Sequence, residues 1–172
     1  NDHFTIQRIK LCKVKEGLLL YLLRVKMNKT MIEIAVMISS QSPCSRAKVG
    51  AIIFREDRKT ILSTGFNGQA RKSKLDLCNG STCKRNDLNI PSGEQIEVGC
   101  IHAEMNAISN AAFEGIAIEE ASILVTAPPC LICSKLIIQS GLKKVYYVGG
   151  DRWINSGLDY LKENNIELIS LI

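Results

Sequence analysis

The chain has 172 residues, of which 46% are hydrophobic and 5% aromatic, a composition that suits one compact domain with a core of its own. The formal net charge of +5 comes from the first 30 residues, which carry seven basic and two acidic side chains, whereas the rest of the chain carries fifteen of each sign. Because residues 31–172 have no net charge and the chain has few aromatic side chains, we expect no binding of long nucleic acid. The sequence has no membrane-spanning stretch and no signal-peptide pattern, so we expect a cytoplasmic protein.

The first half of the chain begins with an extension and continues into a helix and a hairpin. Residues 1–27 are predicted to be an N-terminal extension or leader, and residues 28–172 to form one domain. Apolar residues at helical spacing predict a first helix at about 28–40. Two β-branched runs, at 49–54 and 60–67, flank the charged turn "REDRK" and predict a β-hairpin.

The second half alternates helices and strands. Polar residues at 68–99 predict a long loop, and loops of that length inside a compact domain are usually functional. The pattern after the loop predicts, in order, a helix at about 102–113, a strand at 121–127, a helix at about 130–140, a strand at 144–150, a helix at about 153–164 and a strand at 166–172. Strands that alternate with helices imply crossover connections, so we expect an α/β fold in three layers, with a central sheet of about five strands and helices on both faces.

Two of these predicted helices begin with residues that can hold a metal ion. His102 starts one helix, and Cys130 and Cys133 start the next, where their three-residue spacing puts both sulfurs on one side of a helical turn. One imidazole nitrogen and two thiolates make three ligands for Zn²⁺ and leave the fourth tetrahedral position open to water. A structural zinc site would be closed, so the open position predicts a catalytic zinc.

Glu104 lies two residues after His102 and is predicted to be near the metal without binding it. Such a carboxylate can take a proton from water and pass it to a leaving group. The arrangement H-x-E followed by P-C-x-x-C is the signature of zinc deaminases, in which water attacks an amino-bearing ring carbon. A lone Cys-x-x-Cys is often structural or redox-active, but the two motifs together at helix starts favour catalysis.

The chain resembles the deoxycytidylate (dCMP) deaminase family of the cytidine deaminase-like superfamily. "GFNG" beside "HAEMNAI" is more specific for this family than the zinc motif alone, and Pro128 stands where transfer-RNA adenosine deaminases and guanine deaminases usually have Glu. The matching stretches are "SPCSRAKVGAII", "ILSTGFNG", "PSGEQIEVGCIHAEMNAI" and "TAPPCLICSKLIIQSGLKKVYY". The resemblance implies a cytidine deaminase-like fold with a mixed central sheet, and a zinc-dependent deaminase domain at 28–172.

By this resemblance, the protein hydrolyses dCMP to dUMP and ammonia and so supplies dUMP for thymidylate synthesis. Zinc would be held by His102, Cys130 and Cys133, while Glu104 would move protons. The backbone N–H of Ala103 would meet the pyrimidine carbonyl.

Two further positions are candidates for substrate contacts. The resemblance implies that Asn67 touches the sugar or base, although Asn-Gly is also a common turn after a strand. Arg46 and Lys48 precede a strand beside the predicted site and could bind the phosphate, but solvated surface charge explains them equally well.

Four further cysteines fall at or beside the long loop and could form a second zinc site. Four thiolates would close a tetrahedral structural site and order a loop with little apolar material. The alternative is that they are buried free thiols that behave as small hydrophobic residues. The four are Cys44, Cys78, Cys83 and Cys100.

The resemblance also implies a homo-oligomer, often a hexamer, with dCTP and dTTP as effectors and Mg²⁺ only where such a triphosphate binds. Two alternatives to dCMP deamination stay open. A deaminase of another nucleobase, nucleoside or nucleotide would use the same zinc site. A non-catalytic binding or DNA-uptake-associated module would keep the fold, but it would have no chemical need for Glu104.

Overall fold

The computed structural model describes residues 29–74, 78–91, 94, 98–149 and 157–171. The predicted extension at residues 1–27 and the start of the predicted last helix lie outside the described residues. None of the helices in the described part of the chain has the length and apolar character needed to cross a bilayer.

The order of helices and strands follows the prediction closely. The described helices are α1 (Lys29–Ser40), α2 (Lys84–Asp87), α3 (Ala103–Phe113), α4 (Leu131–Gln139) and α5 (Leu158–Glu163). The described strands are β1 (Gly50–Arg55), β2 (Thr60–Phe66), β3 (Ser122–Val125), β4 (Lys144–Tyr147) and β5 (Glu167–Ser170). The prediction that residues 68–99 form a continuous loop is wrong, because α2 and a short bridge between Cys78 and Cys83 interrupt it.

The five strands form one mixed sheet in the order β2-β1-β3-β4-β5. β1 pairs antiparallel with both β2 and β3, whereas β3, β4 and β5 run parallel, joined by the crossover helices α4 and α5. The predicted hairpin is confirmed, with one register irregularity between Ile53 and Phe54.

Alternate residues of the buried strands face opposite sides of the sheet and build two hydrophobic cores. On one side Ile53, Ile123 and Val145 pack with side chains of α3, α4 and α5. On the other side Ile52 and Leu124 pack with α1. The predicted three-layer α/β architecture is thereby confirmed.

Candidate active site

The starts of α3 and α4 carry the predicted metal ligands. His102 and Cys130 are the N-cap residues of these helices, and both have the extended backbone angles that N-caps adopt. Neither side chain caps its own helix by a hydrogen bond, so the imidazole and the thiol are available for each other. Because both helices pack on the sheet through the same core, their N-termini are held together beyond the end of β3.

The three predicted ligands come together. The Sγ atoms of Cys130 and Cys133 each lie 3.4 Å from Nδ1 of His102, and all three ligand atoms lie within 4.8 Å of one another. His102 is exposed, Cys130 is half-buried and Cys133 is buried, so the group opens to solvent on one side. One nitrogen and two sulfurs at this spacing fit a zinc ion with one open coordination position.

The thiols of this group differ in charge state. A hydrogen bond from Cys133, aided by one with His102, lowers the pKa of Cys130 to about 4, so Cys130 is a thiolate at neutral pH. The dipole of α4 also stabilises the negative charge of this thiolate, because Cys130 lies at the N-terminus of the helix. The hydrogen bond to Cys130 raises the pKa of Cys133, and the one from His102 to Cys130 raises the pKa of His102.

Glu104 lies in the first turn of α3 with only 4% of its surface exposed. Burial raises the pKa of its carboxyl to about 6. A carboxyl that titrates close to neutrality can both accept and return a proton, which is what a general acid–base requires. Ala103 is the first residue of the same helix and is fully buried, and N–H groups of a first helical turn have no intrahelical acceptor.

The amide of Asn67 is used within the protein. Its Oδ1 accepts a hydrogen bond from the Val49 N–H at 2.8 Å, and its Nδ2 donates to the Ala47 carbonyl at 2.9 Å and to the sulfur of Cys100 at 3.7 Å. The residue is 6% exposed. These contacts give Asn67 a role in joining loops, and its predicted contact with a substrate stays a prediction.

The predicted phosphate-binding side chains also contact the protein itself. Nη1 of Arg46 donates to the Ile90 carbonyl at 2.8 Å, and the exposed Lys48 reaches the Ser40 carbonyl at 3.4 Å. Sequence reasoning missed Arg85, whose Nη2 donates to two carbonyl oxygens of the loop that precedes His102. A basic residue in a polar loop carries no sequence signal that separates this role from surface charge.

A second group of sulfurs lies in the loops. The Sγ atoms of Cys44, Cys78 and Cys100 lie within 4.8 Å of one another, and we call them the loop-sulfur group. Cys83, which we predicted as the fourth member, is buried beside Cys78 but falls outside this group. A hydrogen bond from Cys100 lowers the pKa of Cys44 to about 4, so the group contains one thiolate at neutral pH.

Comparison with known proteins identifies the family. Residues 25–149 match the model of the cytidine and deoxycytidylate deaminase zinc-binding region. A deoxycytidylate deaminase of Saccharomyces cerevisiae is 31% identical over 160 residues, which cover 92% of this chain and 49% of the yeast protein. A deoxycytidylate deaminase of Enterobacteria phage T4 is 34% identical over 148 residues, which cover 69% of this chain and 75% of the phage protein.

A solved structure agrees with both matches. The dCMP deaminase of cyanophage S-TIM5, in complex with dCMP and dUMP, superposes with a TM-score of 0.63 at 30% identity and covers 84% of this chain and 98% of that one. This chain spans about half the length of the yeast relative. The matched region contains every residue of the candidate site, and the chain belongs to the family of the cytidine and deoxycytidylate deaminase zinc-binding region.

Proposed function

We propose that this protein is a zinc-dependent enzyme that hydrolyses dCMP to dUMP and ammonia. The observation that carries the proposal is the buried Glu104, two residues after His102 and beside a group of one nitrogen and two sulfurs that fits zinc. The phage and yeast relatives bear the name deoxycytidylate deaminase, and the cyanophage enzyme was solved with dCMP and dUMP bound.

His102, Cys130 and Cys133 would hold the metal. A zinc ion in this position supplies Lewis-acid activation of water. Glu104 would carry one proton of the attacking water to N3 of the cytosine ring and the second to the amino nitrogen on C4. A C4–O bond forms, the C4–N bond breaks and the amino group departs as ammonia. The N–H of Ala103, at the start of α3, donates to the pyrimidine carbonyl and holds the ring in place.

The substrate is predicted to be the deoxynucleotide, with Asn67 near the sugar or base and Arg46 near the phosphate. Ammonia release should be measured from zinc-loaded protein with dCMP, CMP and deoxycytidine. We expect turnover of dCMP, reduced roughly 10²- to 10⁴-fold in Glu104→Gln. The matched control is Glu114→Gln, which changes an exposed carboxylate at the other end of the same helix.

Each arm of this experiment can contradict a different part of the proposal. If CMP or deoxycytidine is consumed and dCMP is not, the deoxynucleotide assignment is wrong while the zinc chemistry stands. If Glu104→Gln keeps the wild-type rate, Glu104 is not the general acid–base. If no substrate is consumed even with dCTP present, the chain is better explained as a binding module.

We further propose that the loop-sulfur group holds a second, structural zinc. Three sulfurs within 4.8 Å of one another, one of them a thiolate, support this proposal. Cys83, whose backbone forms a bridge with Cys78, is the candidate for a fourth ligand. Metal analysis should find two zinc ions per chain in wild-type protein and one in Cys78→Ser. A fully loaded wild-type sample with one zinc ion would contradict the second site.

The remaining expectations concern organisation and regulation. We propose that residues 28–172 form the deaminase domain and that residues 1–27 are an extension to it. Assembly into a homo-oligomer and control by dCTP and dTTP stay predictions from the family resemblance. Light scattering and turnover assays with each triphosphate in the presence of Mg²⁺ would test them.

A further inference from the structure

Cys44 of the loop-sulfur group is linked by a chain of hydrogen bonds to the loop that carries both Cys100 and His102. These hydrogen bonds pass through Ser42 and Asn67. Ser42 is 1% exposed and Asn67 is 6% exposed, so water is nearly excluded from these links. Buried hydrogen bonds without competing water hold their partners in a fixed arrangement.

Ser42 makes the two hydrogen bonds that connect Cys44 with Asn67. Its Oγ donates to the carbonyl of Asn67 at 2.7 Å and accepts from the N–H of Cys44 at 3.2 Å. A serine hydroxyl has a single donor, and here that donor is committed to Asn67. The position of Cys44 is therefore tied to the position of the turn that contains Asn67.

The series of hydrogen bonds ends at Cys100 and Ile101, the two residues that precede His102. Nδ2 of Asn67 donates to Sγ of Cys100 at 3.7 Å. The following residue, Gly68, exchanges two backbone hydrogen bonds with Ile101, at 3.1 and 2.8 Å. Because Ile101 directly precedes His102, this bridge joins the turn at Asn67 to the backbone that carries the imidazole of His102.

We propose that Ser42 is a positioning residue that couples metal occupancy of the loop-sulfur group to substrate binding at the His102 site. A metal fixes the spacing of Cys44 and Cys100, and the hydrogen bonds of Ser42 and Asn67 carry that spacing to the Gly68–Ile101 pair. The inference rests on the proposed dCMP deamination and on the second zinc, and adds a regulatory link between them. The link is reciprocal, since a metal that favours substrate binding must be bound more tightly when substrate is present.

A double-mutant cycle tests the link. Cys78 belongs to the loop-sulfur group but is not a link of the Ser42–Asn67 chain, so Cys78→Ser removes the metal and leaves these hydrogen bonds in place. We expect Cys78→Ser to raise KM for dCMP about 5- to 10-fold in the wild-type background and less than about 2-fold in Ser42→Ala. The control background is Ser63→Ala, which removes another buried serine hydroxyl, bonded to the Ala107 carbonyl at 2.7 Å, and should keep the full effect.

Amide hydrogen exchange gives a readout that does not depend on turnover. Zinc loading of the wild-type loop-sulfur group should slow exchange of the Gly68 and Ile101 N–H groups about tenfold, and Ser42→Ala should abolish this difference. Ser42→Thr keeps the hydroxyl and should restore it, and if Ser42→Ala does not fold, the response of wild-type exchange to zinc tests the inference. Protection without dCMP turnover would leave the link standing while the proposed function fails.

Two results would overturn the inference. One is the same KM change on Cys78→Ser in the Ser42→Ala and wild-type backgrounds. The other is exchange at Gly68 and Ile101 that does not respond to zinc in wild-type protein.

Discussion

The two sulfur-containing groups of this protein differ in what holds them in place. His102, Cys130 and Cys133 lie at the first turns of α3 and α4, and both helices pack on a buried sheet. Cys44 and Cys100 lie in loops, and Cys78 lies in a loop with one isolated bridge. The helix-borne side chains are positioned by the hydrophobic core, whereas the loop sulfurs are positioned by their contacts with one another and with neighbouring loops.

This difference predicts opposite effects of metal loss. Removing the metal from the helix-borne group should abolish activity and leave the core intact, because the core does not depend on the metal. Removing it from the loop-sulfur group should mainly cost stability, because metal binding contributes directly to the folding of segments with little apolar material.

The largest expected effect is that of Cys133→Ser on activity. Loss of one of three ligands should lower kcat/KM for dCMP more than about 10²-fold, while the melting temperature changes by only a few degrees. Kinetics, zinc content and thermal unfolding measured on the same sample check this. Ser134→Ala is the control on the same helical turn, since its buried Oγ has no hydrogen-bond partner among the described residues. A large fall in melting temperature for Cys133→Ser would contradict a core-held site.

A second prediction tests how the core places α3. A Cβ on Gly65 of β2 would collide with backbone atoms of Ala103 and Ala107, so Gly65→Ala must push α3 away from the sheet. We expect a loss of about 1–3 kcal/mol in the free energy of unfolding, measured by urea denaturation, and a parallel loss of dCMP turnover. Gly68→Ala is the control for stability, because its Cβ would meet neighbours only at ordinary contact distance. Unchanged turnover in a destabilised Gly65→Ala would show that the site does not depend on this helix contact.

A third prediction concerns the loop-sulfur group. Cys78→Ser should lose one zinc ion per chain and about 2 kcal/mol of stability, which for a chain of this size lowers the melting temperature by roughly 4–8 °C. Cys83→Ser removes a buried thiol outside the group and should have a smaller effect on both quantities. Equal effects of the two substitutions would make Cys83 a full ligand.

The smallest expected effect is that of Glu56 on stability; this residue lies at the end of the sheet opposite the candidate active site. Burial alone would raise the pKa of Glu56, but hydrogen bonds from Ser122, Lys144 and Tyr146 outweigh it and hold this pKa below its usual 4.5. A carboxyl with a lower pKa in the folded than in the unfolded protein stabilises the fold above pH 4.5, and this contribution is lost as the pH falls further.

Substitution of Glu56 should therefore have a pH-dependent effect on stability alone. Glu56→Gln should cost up to about 1 kcal/mol at pH 7, a value reduced because this carboxylate is partly exposed, and less below pH 4.5. Urea denaturation at pH 7 and pH 3.5 measures the difference between variant and wild type. A constant difference at both pH values would rule out the ionised carboxylate as its source, and KM for dCMP should not change.

The sequence predicted those features that periodicity and short-range spacing control. The helix starts at His102 and Cys130 follow from apolar repeats and an i, i+3 spacing, so their meeting could be anticipated. The place of Cys83 could not, because it depends on the path of a polar loop that contains an unpredicted helix. The proposed role of Ser42 could not be predicted from the sequence either, because the carbonyl that it contacts belongs to a residue 25 positions away in the chain.

The most direct test of the account is the reaction of zinc-loaded protein with dCMP in water labelled with oxygen-18. Hydrolytic deamination predicts dUMP with one labelled oxygen at C4 and one ammonia per dUMP. The rate of dUMP formation should fall roughly 10²- to 10⁴-fold in Glu104→Gln. Unlabelled dUMP would contradict attack by water, and unchanged dCMP in the presence of zinc and dCTP would contradict the proposed activity itself.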